Sequence, residues 1–392
     1  MKTKVRLEVL VFLAICLVFS YACSKRAEDT GWSASIEIVD GIKVVTNPEE
    51  PKFGVFVFEL EEDLAIGDPN DEDYFFHSRL TLNVDEDGNF YVCDSGNKRI
   101  QKYDKSGTYV RSIGRQGRGP GEYMSPSRIF LDDVGNLCVS DFRSFLYYDK
   151  DGIFQKKITL KNSYSRIIAS PNGTFFGSTQ ARGQIEGGAK TTLVLVGENG
   201  EPIQTIAEYS VSYSNSLKTL VLHWYTNFIA HAFRTPDAFY YGFSNEYKVI
   251  VANKDGSTNF IFLKDEPPKS ISLEEKELTK KDGLIAVMGP GLNEKEKATV
   301  FPNHQPYFRT FFSDDTGRLY VIRFKSILER HEQNISVDIF SREGIYLYQM
   351  NWSFMPALIK KGFLYEIRED ENTGDTKVLR HKIINWNKFK EE

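Results

Sequence analysis

The sequence predicts an all-β protein: a six-bladed β-propeller closed by an N-terminal strand and carrying a short helical insertion. The first observation is a tandem repeat, since Gly88 and Gly135 stand 47 positions apart, as do Asp94 and Asp141. The second is the pattern around them, in which short apolar runs alternate with turns that contain glycine. A self-similar unit of about 40–50 residues made of short strands is typical of a β-propeller.

The turns of the repeat have the composition of tight hairpins. Glycine supplies the positive φ that such turns require, so each glycine that follows Asp, Ser or Val between two apolar runs predicts a hairpin. The strands after Gly88 and Gly135 are then the second strands of their blades, and those after Gly107 and Gly152 the fourth.

Two stretches carry a resemblance to a known family. The run from Asp87 to Asp104 and the crossing from Ile113 to Tyr123 resemble NHL-repeat propellers, of the NHL/TolB-like type. The chain is more closely similar to the six-bladed propeller lipoproteins of Gram-negative bacteria, a family without a settled activity. The specific similarity covers Arg79 to Ile158. It implies a propeller fold and export, and it implies no particular chemistry.

Further units complete the ring. A third starts at Arg166, a fourth at Phe228, a fifth at Tyr307, and a sixth runs from Gly362 to Ile383 and lacks one strand. Propellers often close by pairing an N-terminal strand with the last blade, which removes two sheet edges. Two apolar segments, Ile36–Thr46 and Phe53–Leu60, are candidates, and one or both are expected to close the ring. The propeller then spans 36–386 and is followed by a C-terminal tail, 387–392.

The pattern breaks over 264–305. Ser272 and Glu275, like Asn293 and Glu296, have the spacing of an N-terminal capping box. Two short helices are therefore expected on one face of the ring. A lid and a passive decoration both remain open as roles for this insertion.

The N-terminus has the pattern of a secretory leader. Lys2, Lys4 and Arg6 precede an apolar stretch from Val9 to Phe19, which is too short to span a bilayer comfortably. Residues 1–22 are predicted to be a signal peptide. Cys23 is then the expected lipidation site and 23–35 a tether, which predicts an outer-membrane lipoprotein facing the periplasm or the surface. An ordinary secretory cut at the same bond is the alternative.

Charge and cysteine content restrict the function classes. The formal net charge of −5 becomes −7 once residues 1–22 are removed, and an acidic protein lacks the basic footprint of nucleic-acid binding. Aligning the repeats matches Cys93 with Ser140 and Cys138 with Tyr91. We expect the two thiols on opposite sides of their sheets, buried and free of a disulfide.

Several residues that invite a chemical interpretation have a simpler structural one. Asp94 and Asp141 end strands where a carboxylate can accept backbone N–H groups. The glycine-rich stretch Gly114–Gly121 lacks the Lys-Ser/Thr ending of a phosphate loop and is interpreted as an inter-blade crossing. Aromatic clusters such as His223–Tyr225 are assigned to the core. The six histidines form no metal set, so no cofactor is predicted, although Ca²⁺ or another divalent ion at the axis stays open.

Five basic residues recur near the start of the innermost strands. Arg128 and Arg166 stand seven positions before the turn glycines Gly135 and Gly173. His231 holds the same place before Ala238, and Arg79 and Arg309 lie within two positions of the equivalent place in their units. The hypothesis is a basic ring around one mouth of the channel that attracts an anionic ligand. The alternative is that each cation pairs locally within its blade.

These observations favour recognition over catalysis. A rigid ring that presents loops and a channel mouth suits a protein, peptide or glycan partner. The alternative is a metal-dependent hydrolase or lyase with its site at the propeller axis. A tightly bound divalent ion would discriminate between the two.

Overall fold

A computed structural model of the chain describes residues 31–77, 79–132, 134–164, 166–169, 174–182, 188–212, 220–235, 238–288 and 299–390. In chain order the first strands are β1 Ser35–Val39, β2 Ile42–Asn47, β3 Leu60–Ile66, β4 Leu80–Val84, β5 Phe90–Asp94, β6 Arg99–Tyr103, β7 Tyr109–Ser112, β8 Arg115–Gln116, β9 Glu122–Tyr123, β10 Pro126–Leu131, β11 Leu137–Asp141, β12 Ser144–Tyr148 and β13 Phe154–Thr159. Then follow β14 Arg166–Ala169, β15 Phe175–Arg182, β16 Gly188–Val196, β17 Pro202–Ser212, β18 Leu220–His223, β19 Ile229–Thr235, β20 Ala238–Phe243, β21 Lys248–Asn253 and β22 Thr258–Lys264. The remaining elements are the helix α1 Leu273–Asp282, β23 Leu284–Met288, β24 Phe308–Ser313, β25 Leu319–Arg323, β26 Ile335–Phe340, β27 Tyr346–Trp352, β28 Leu358–Lys360, β29 Phe363–Glu369 and β30 Thr376–Ile383, with 3-10 turns at Ile327–Glu329 and Trp386–Lys388.

Six antiparallel sheets form the predicted propeller. Blades 1 to 5 are β4–β7, β10–β13, β14–β17, β19–β22 and β24–β27, and blade 6 is β28–β30 completed by β3. First strands of neighbouring blades contact one another, as β4 does β10 and β19 does β24, so these strands lie innermost. We call the side where the innermost strands begin the front face, and the side where they end the back face.

The hairpin turns follow the predicted chemistry. Gly88 and Gly135 have φ of 88° and 85°, in the left-handed region that glycine adopts without strain. Before each turn, Asp85 or Asp132 accepts backbone N–H groups from the residues that follow. The strands that come next, β5 and β11, are buried along their whole length because a blade of a propeller is covered on both faces.

Cys93 and Cys138 are buried and free, as predicted. Their predicted orientation is wrong. Cys93 packs with Tyr91 against blade 2, and Cys138 packs against blade 3, so both thiols face the next blade along the chain. The physical reason is the two-residue period of a strand. Cys138 aligns with Tyr91, and Tyr91 is two residues from Cys93, so the two cysteines occupy positions that point to the same side of their sheets.

β3 closes the ring by pairing with β30, Ile66 lying opposite Val378. Of the two segments expected to close it, Ile36–Thr46 does not do so. It forms the hairpin β1–β2 instead, and β2 pairs in parallel with β22 at the outer edge of blade 4. The second segment, Phe53–Leu60, reaches the closing strand only at its last residue.

Between these two attachments the chain crosses blade 5. Lys52 and Phe53 donate backbone hydrogen bonds to Tyr346 and Leu347, and Phe56 donates to Gln349. The N-terminal segment therefore runs along the outer edges of blades 4, 5 and 6 in turn. The predicted C-terminal tail also packs on this region, since Phe389 is 6% exposed and lies against Phe58 and Tyr348.

The insertion contains one of its two predicted helices within the described residues. Ser272 caps α1 and forms the predicted capping box with Glu275. The other predicted helix start, Asn293, lies outside the described residues. β23, which follows α1, pairs with β18 from the crossing between blades 3 and 4. No helix among the described residues is long and apolar enough to cross a membrane.

Candidate functional site

The long crossings of the chain lie on the front face, because each leads from an outermost strand to the next innermost one. The crossing into blade 4 contains β18 and Trp224, and the crossing into blade 5 contains α1 and β23. Their pairing, with Val221 opposite Val287, builds a wall of loop structure at the front of blades 4 and 5.

Arg309, the second residue of β24, lies at this wall. Its guanidinium carbon is 4.8 Å from the ring centroid of Trp224 and 4.9 Å from that of Phe324. The side chain makes no hydrogen bond or ion pair with any residue that the structure describes. Burial lowers the pKa of Arg309 to about 10, so the group stays charged at neutral pH. Its ring contacts are cation–π interactions, and its N–H donors remain available.

The aromatic partners of Arg309 are held in place. The indole Nε1 of Trp224 donates to the carbonyl oxygen of Lys325 at 2.7 Å. The ring of Phe324 lies 5.2 Å from that of Tyr225, which is fully buried. A charged group fixed in this way is preorganised, and it loses little freedom when a ligand binds.

The buried carboxylate of α1, Glu275, is engaged by other groups. Glu275 accepts hydrogen bonds from the Tyr225 hydroxyl at 2.7 Å, from Gln305 Nε2 at 2.9 Å and from the Ser326 hydroxyl. Burial alone raises the pKa of Glu275, but the hydrogen bonds outweigh it and hold the pKa below its usual value. Glu275 thereby fastens α1 to blade 5.

The other four predicted basic residues also lie where the innermost strands begin. Arg79 directly precedes β4 and is exposed, Arg128 is exposed opposite Ser140, and His231 is buried opposite Tyr241. Arg166 begins β14, and its side chain is outside the described part of the structure. Neither Arg79 nor Arg128 forms an ion pair or hydrogen bond with the residues described.

The two aspartates that end second strands at the front face are already partnered. Asp94 accepts from Asn97 through both its backbone N–H and its side chain, and it lies 3.5 Å from Arg99. Asp141 accepts from the backbone N–H groups of Met124 and Ser125. Both aspartates thus have the structural role that the sequence suggests, although the donors to Asp141 come from the preceding crossing.

A buried ionic cluster between blades 4 and 5 was not predicted. Asp338 is fully buried, lies 3.1 Å from Lys264 and 2.9 Å from Arg323, and accepts from the Tyr247 and Tyr346 hydroxyls at 2.6 and 2.7 Å. Glu266 pairs with the same two cations, so the charges cancel. The sequence holds one sign of this cluster. Asp94 and Asp141 stand six positions after Gly88 and Gly135, and the equivalent position in blade 5, six after Gly317, is occupied by Arg323 instead of an aspartate.

No metal centre emerges within the described residues, where no three His, Cys, Asp or Glu side chains are grouped to hold an ion. His223 bonds the Val300 carbonyl, and His381 bonds Glu366 at 3.0 Å. The glycine-rich crossing is also no phosphate cradle, because the Glu122 carboxylate accepts from the Gly119 N–H at 2.8 Å and from Arg115 at 2.7 Å.

This architecture defines the class of the protein, a six-bladed β-propeller. The chain belongs to the DUF5128 family, described as 6-bladed beta-propeller, whose family model matches residues 78–334. Among proteins with curated descriptions, none matches the sequence significantly.

Solved structures with a similar fold include a protein of Bacteroides fragilis NCTC 9343 that is named as an exported protein. It has a TM-score of 0.51 and 13% identity, covering 87% of this chain and 99% of that one. A duf4221-family member from Bacteroides vulgatus has a TM-score of 0.45 and 10% identity, over 83% and 98%. Virginiamycin B lyase from Staphylococcus aureus has a TM-score of 0.39 and 12% identity, over 84% and 100%. At these identities the likeness concerns the fold alone.

Proposed function

We propose that this protein is a recognition module that binds a carboxylate-bearing protein, peptide or glycan at the front mouth of its propeller. The observation that carries the proposal is Arg309, a half-buried cation that stacks on Trp224 and Phe324 and has no carboxylate partner among the described residues. Burying a charge is costly unless it is paired, so a site that holds one near the surface gains from an anionic ligand.

The charge distribution at the front face supports the same role. Asp94, Asp141 and Asp338 are each bonded to backbone N–H groups or to cations, so their charge is largely compensated. Arg79, Arg128 and Arg309 are not compensated in this way by the residues described. These three arginines of the front face therefore keep donors and charge that an anionic ligand can use.

The proposed location rests on the leader. The basic start, the apolar stretch from Val9 to Phe19 and Ala22–Cys23 support export, cleavage before Cys23 and attachment of a lipid to its thiol. The protein would then act at the outer membrane, facing the periplasm or the surface. Mass spectrometry of the protein purified from its native membrane tests this, since an unmodified Cys23 would contradict the anchor.

The function is tested with a labelled hexaglutamate peptide, with binding followed by fluorescence polarisation at low ionic strength. Arg309→Gln and Arg128→Gln are each expected to weaken binding about tenfold, the loss of a charge-assisted hydrogen bond. Arg111→Gln is the matched control, because Arg111 is an exposed arginine on β7 whose guanidinium donates to the Asp151 carbonyl and to no other described residue. Absence of binding, or equal weakening by Arg111→Gln, would refute the front mouth as the site.

A further inference from the structure

A cavity lies on the back face between blades 6 and 1. It has a volume of about 510 Å³, within the range of roughly 300–1,000 Å³ of small-molecule sites. Its walls are the β4–β5 turn, the β28–β29 turn and the facing residues of β29 and β30. We call it the back cleft. None of the five basic residues of the front mouth lines it.

Charged groups at the rim of the back cleft are paired with one another. Glu86 accepts from Lys360 Nζ at 2.6 Å and from Lys361 Nζ at 2.8 Å, and these hydrogen bonds hold the pKa of Glu86 below its usual value. Arg380 lies 2.9 Å from Asp63. Asp85, Asp87 and Lys105 also line the cleft, so with Asp63 its carboxylates and cations are equal in number and a charged ligand gains little net Coulomb attraction here. The same pairs nevertheless present fixed hydrogen-bond donors and acceptors side by side.

The floor of the back cleft is aromatic and contains one unused polar group. Tyr365 is 3% exposed and lines the cleft, yet its hydroxyl makes no hydrogen bond with any described residue. Burial raises the pKa of Tyr365 to about 12, so the hydroxyl remains a donor at neutral pH. Phe363 lies beside it, with the Arg380 guanidinium 5.0 Å from its ring centroid. The Tyr365 hydroxyl oxygen is not among the fully buried polar atoms, so it can bond water or a ligand in the cleft.

We propose that the back cleft binds a neutral sugar ring. The apolar C–H face of a pyranose matches the half-buried Phe363 ring, and its ring of hydroxyls, each both donor and acceptor, matches a rim that offers both. The open Tyr365 hydroxyl supplies one further hydrogen bond at the floor. This site is separate from the front mouth and does not depend on the function proposed for it.

Saturation-transfer NMR of the purified protein tests this with a panel of glucose, galactose, mannose, N-acetylglucosamine and their disaccharides. At least one neutral sugar is expected to receive saturation, and Tyr365→Phe is expected to weaken its binding about tenfold. This variant loses no hydrogen bond to the described protein, so it should fold normally. Tyr109→Phe is the control, because Tyr109 bonds Ser112 on the surface and does not line the cleft.

Two outcomes would overturn the proposal. One is that no sugar of the panel receives saturation from the wild-type protein. The other is that Tyr365→Phe binds like the wild type, above all if Arg309→Gln abolishes the same signal, which would move the sugar to the front mouth. Binding that survives Arg309→Gln and is lost in Tyr365→Phe supports the back cleft, whatever happens with hexaglutamate.

Discussion

Asn47 and Tyr346 are joined by a buried hydrogen bond across the sequence, with the Tyr346 N–H donating to Asn47 Oδ1 at 2.8 Å. Asn47 Nδ2 also donates to the carbonyl oxygens of Leu263 and Gly344, at 3.0 and 2.8 Å. One side chain thus ties the N-terminal segment to blade 4 and to blade 5. Asn47 itself is fully buried, so these hydrogen bonds are shielded from solvent.

Replacing Asn47 by alanine is expected to lower the free energy of unfolding by about 3 kcal/mol, because it leaves buried backbone groups without partners. Urea denaturation followed by circular dichroism measures the loss. Asn70→Ala is the control, since Asn70 bonds Asp68 in an exposed turn, and it should cost about 0.5 kcal/mol. Equal losses in both variants would contradict the role of Asn47.

Neutralising Asp338 should destabilise the protein strongly. Asp338→Asn leaves Lys264 and Arg323 facing the single carboxylate Glu266, and breaking a buried pair on one side costs about 3–5 kcal/mol. Calorimetric melting measures it. Asp282→Asn, which removes a surface pair with Arg330 at 3.7 Å, should change the melting temperature little. A small effect of Asp338→Asn would mean that the cluster is weakly coupled.

His223 should make stability fall as the medium becomes mildly acidic. Burial lowers its pKa to about 4, and its Nδ1 accepts from the Tyr225 N–H at 3.2 Å, which protonation would prevent. The unfolded chain, with a pKa near 6.5, binds the proton more readily. The contribution is therefore present above about pH 6.5 and is lost as the pH falls towards 4, in total on the order of 3 kcal/mol.

Denaturation between pH 7 and 4.5, compared between the wild type and His223→Gln, isolates this contribution from the carboxylates that titrate in the same range. The variant should show the flatter dependence. His331→Gln, at an exposed histidine, should follow the wild type. Parallel curves for all three proteins would show that His223 titrates normally in the fold.

Shortening the N-terminus in two steps should separate attachment from closure. A chain that begins at Glu59 loses β1, β2 and the hydrogen bonds of Asn47 but keeps β3, and it should melt several degrees below the full chain. A chain that begins at Gly67 also loses β3 and exposes the edge of β30 and the core around Ile66. It should unfold cooperatively only at much lower temperature, or aggregate. Similar melting of both chains would mean that β3 is dispensable.

Local patterns of the sequence predicted the blades well. Gly88, Gly135 and the capping box of Ser272 with Glu275 depend on neighbours a few positions away, so their structure can be inferred from short stretches. The family match and the six sheets confirm the propeller. The closer NHL-type and lipoprotein assignments stay predictions.

Long-range relationships were harder to predict. The partner of β2 is β22, more than two hundred positions away, and nothing in Ile36–Thr46 distinguishes that edge from the edge of blade 6. Arg309 was found through the repeat, but its contact with Trp224 depends on a crossing loop of a different blade. The cluster around Asp338 joins strands of two blades. Its only sign in the sequence is that Arg323 occupies a repeat position where blades 1 and 2 have an aspartate.

The pairing of β3 with β30 also determines the order in which the ring can be completed. Asp63 and Arg380, which bond across these strands, are 317 positions apart. The strand synthesised first among those of blade 6 must therefore wait, with its edge unpaired, until nearly all of the chain exists. Contacts between such distant positions form slowly, and waiting edges are prone to wrong pairing. Closure of blade 6 is therefore expected to be the slow step of folding and the step that depends most on a chaperone.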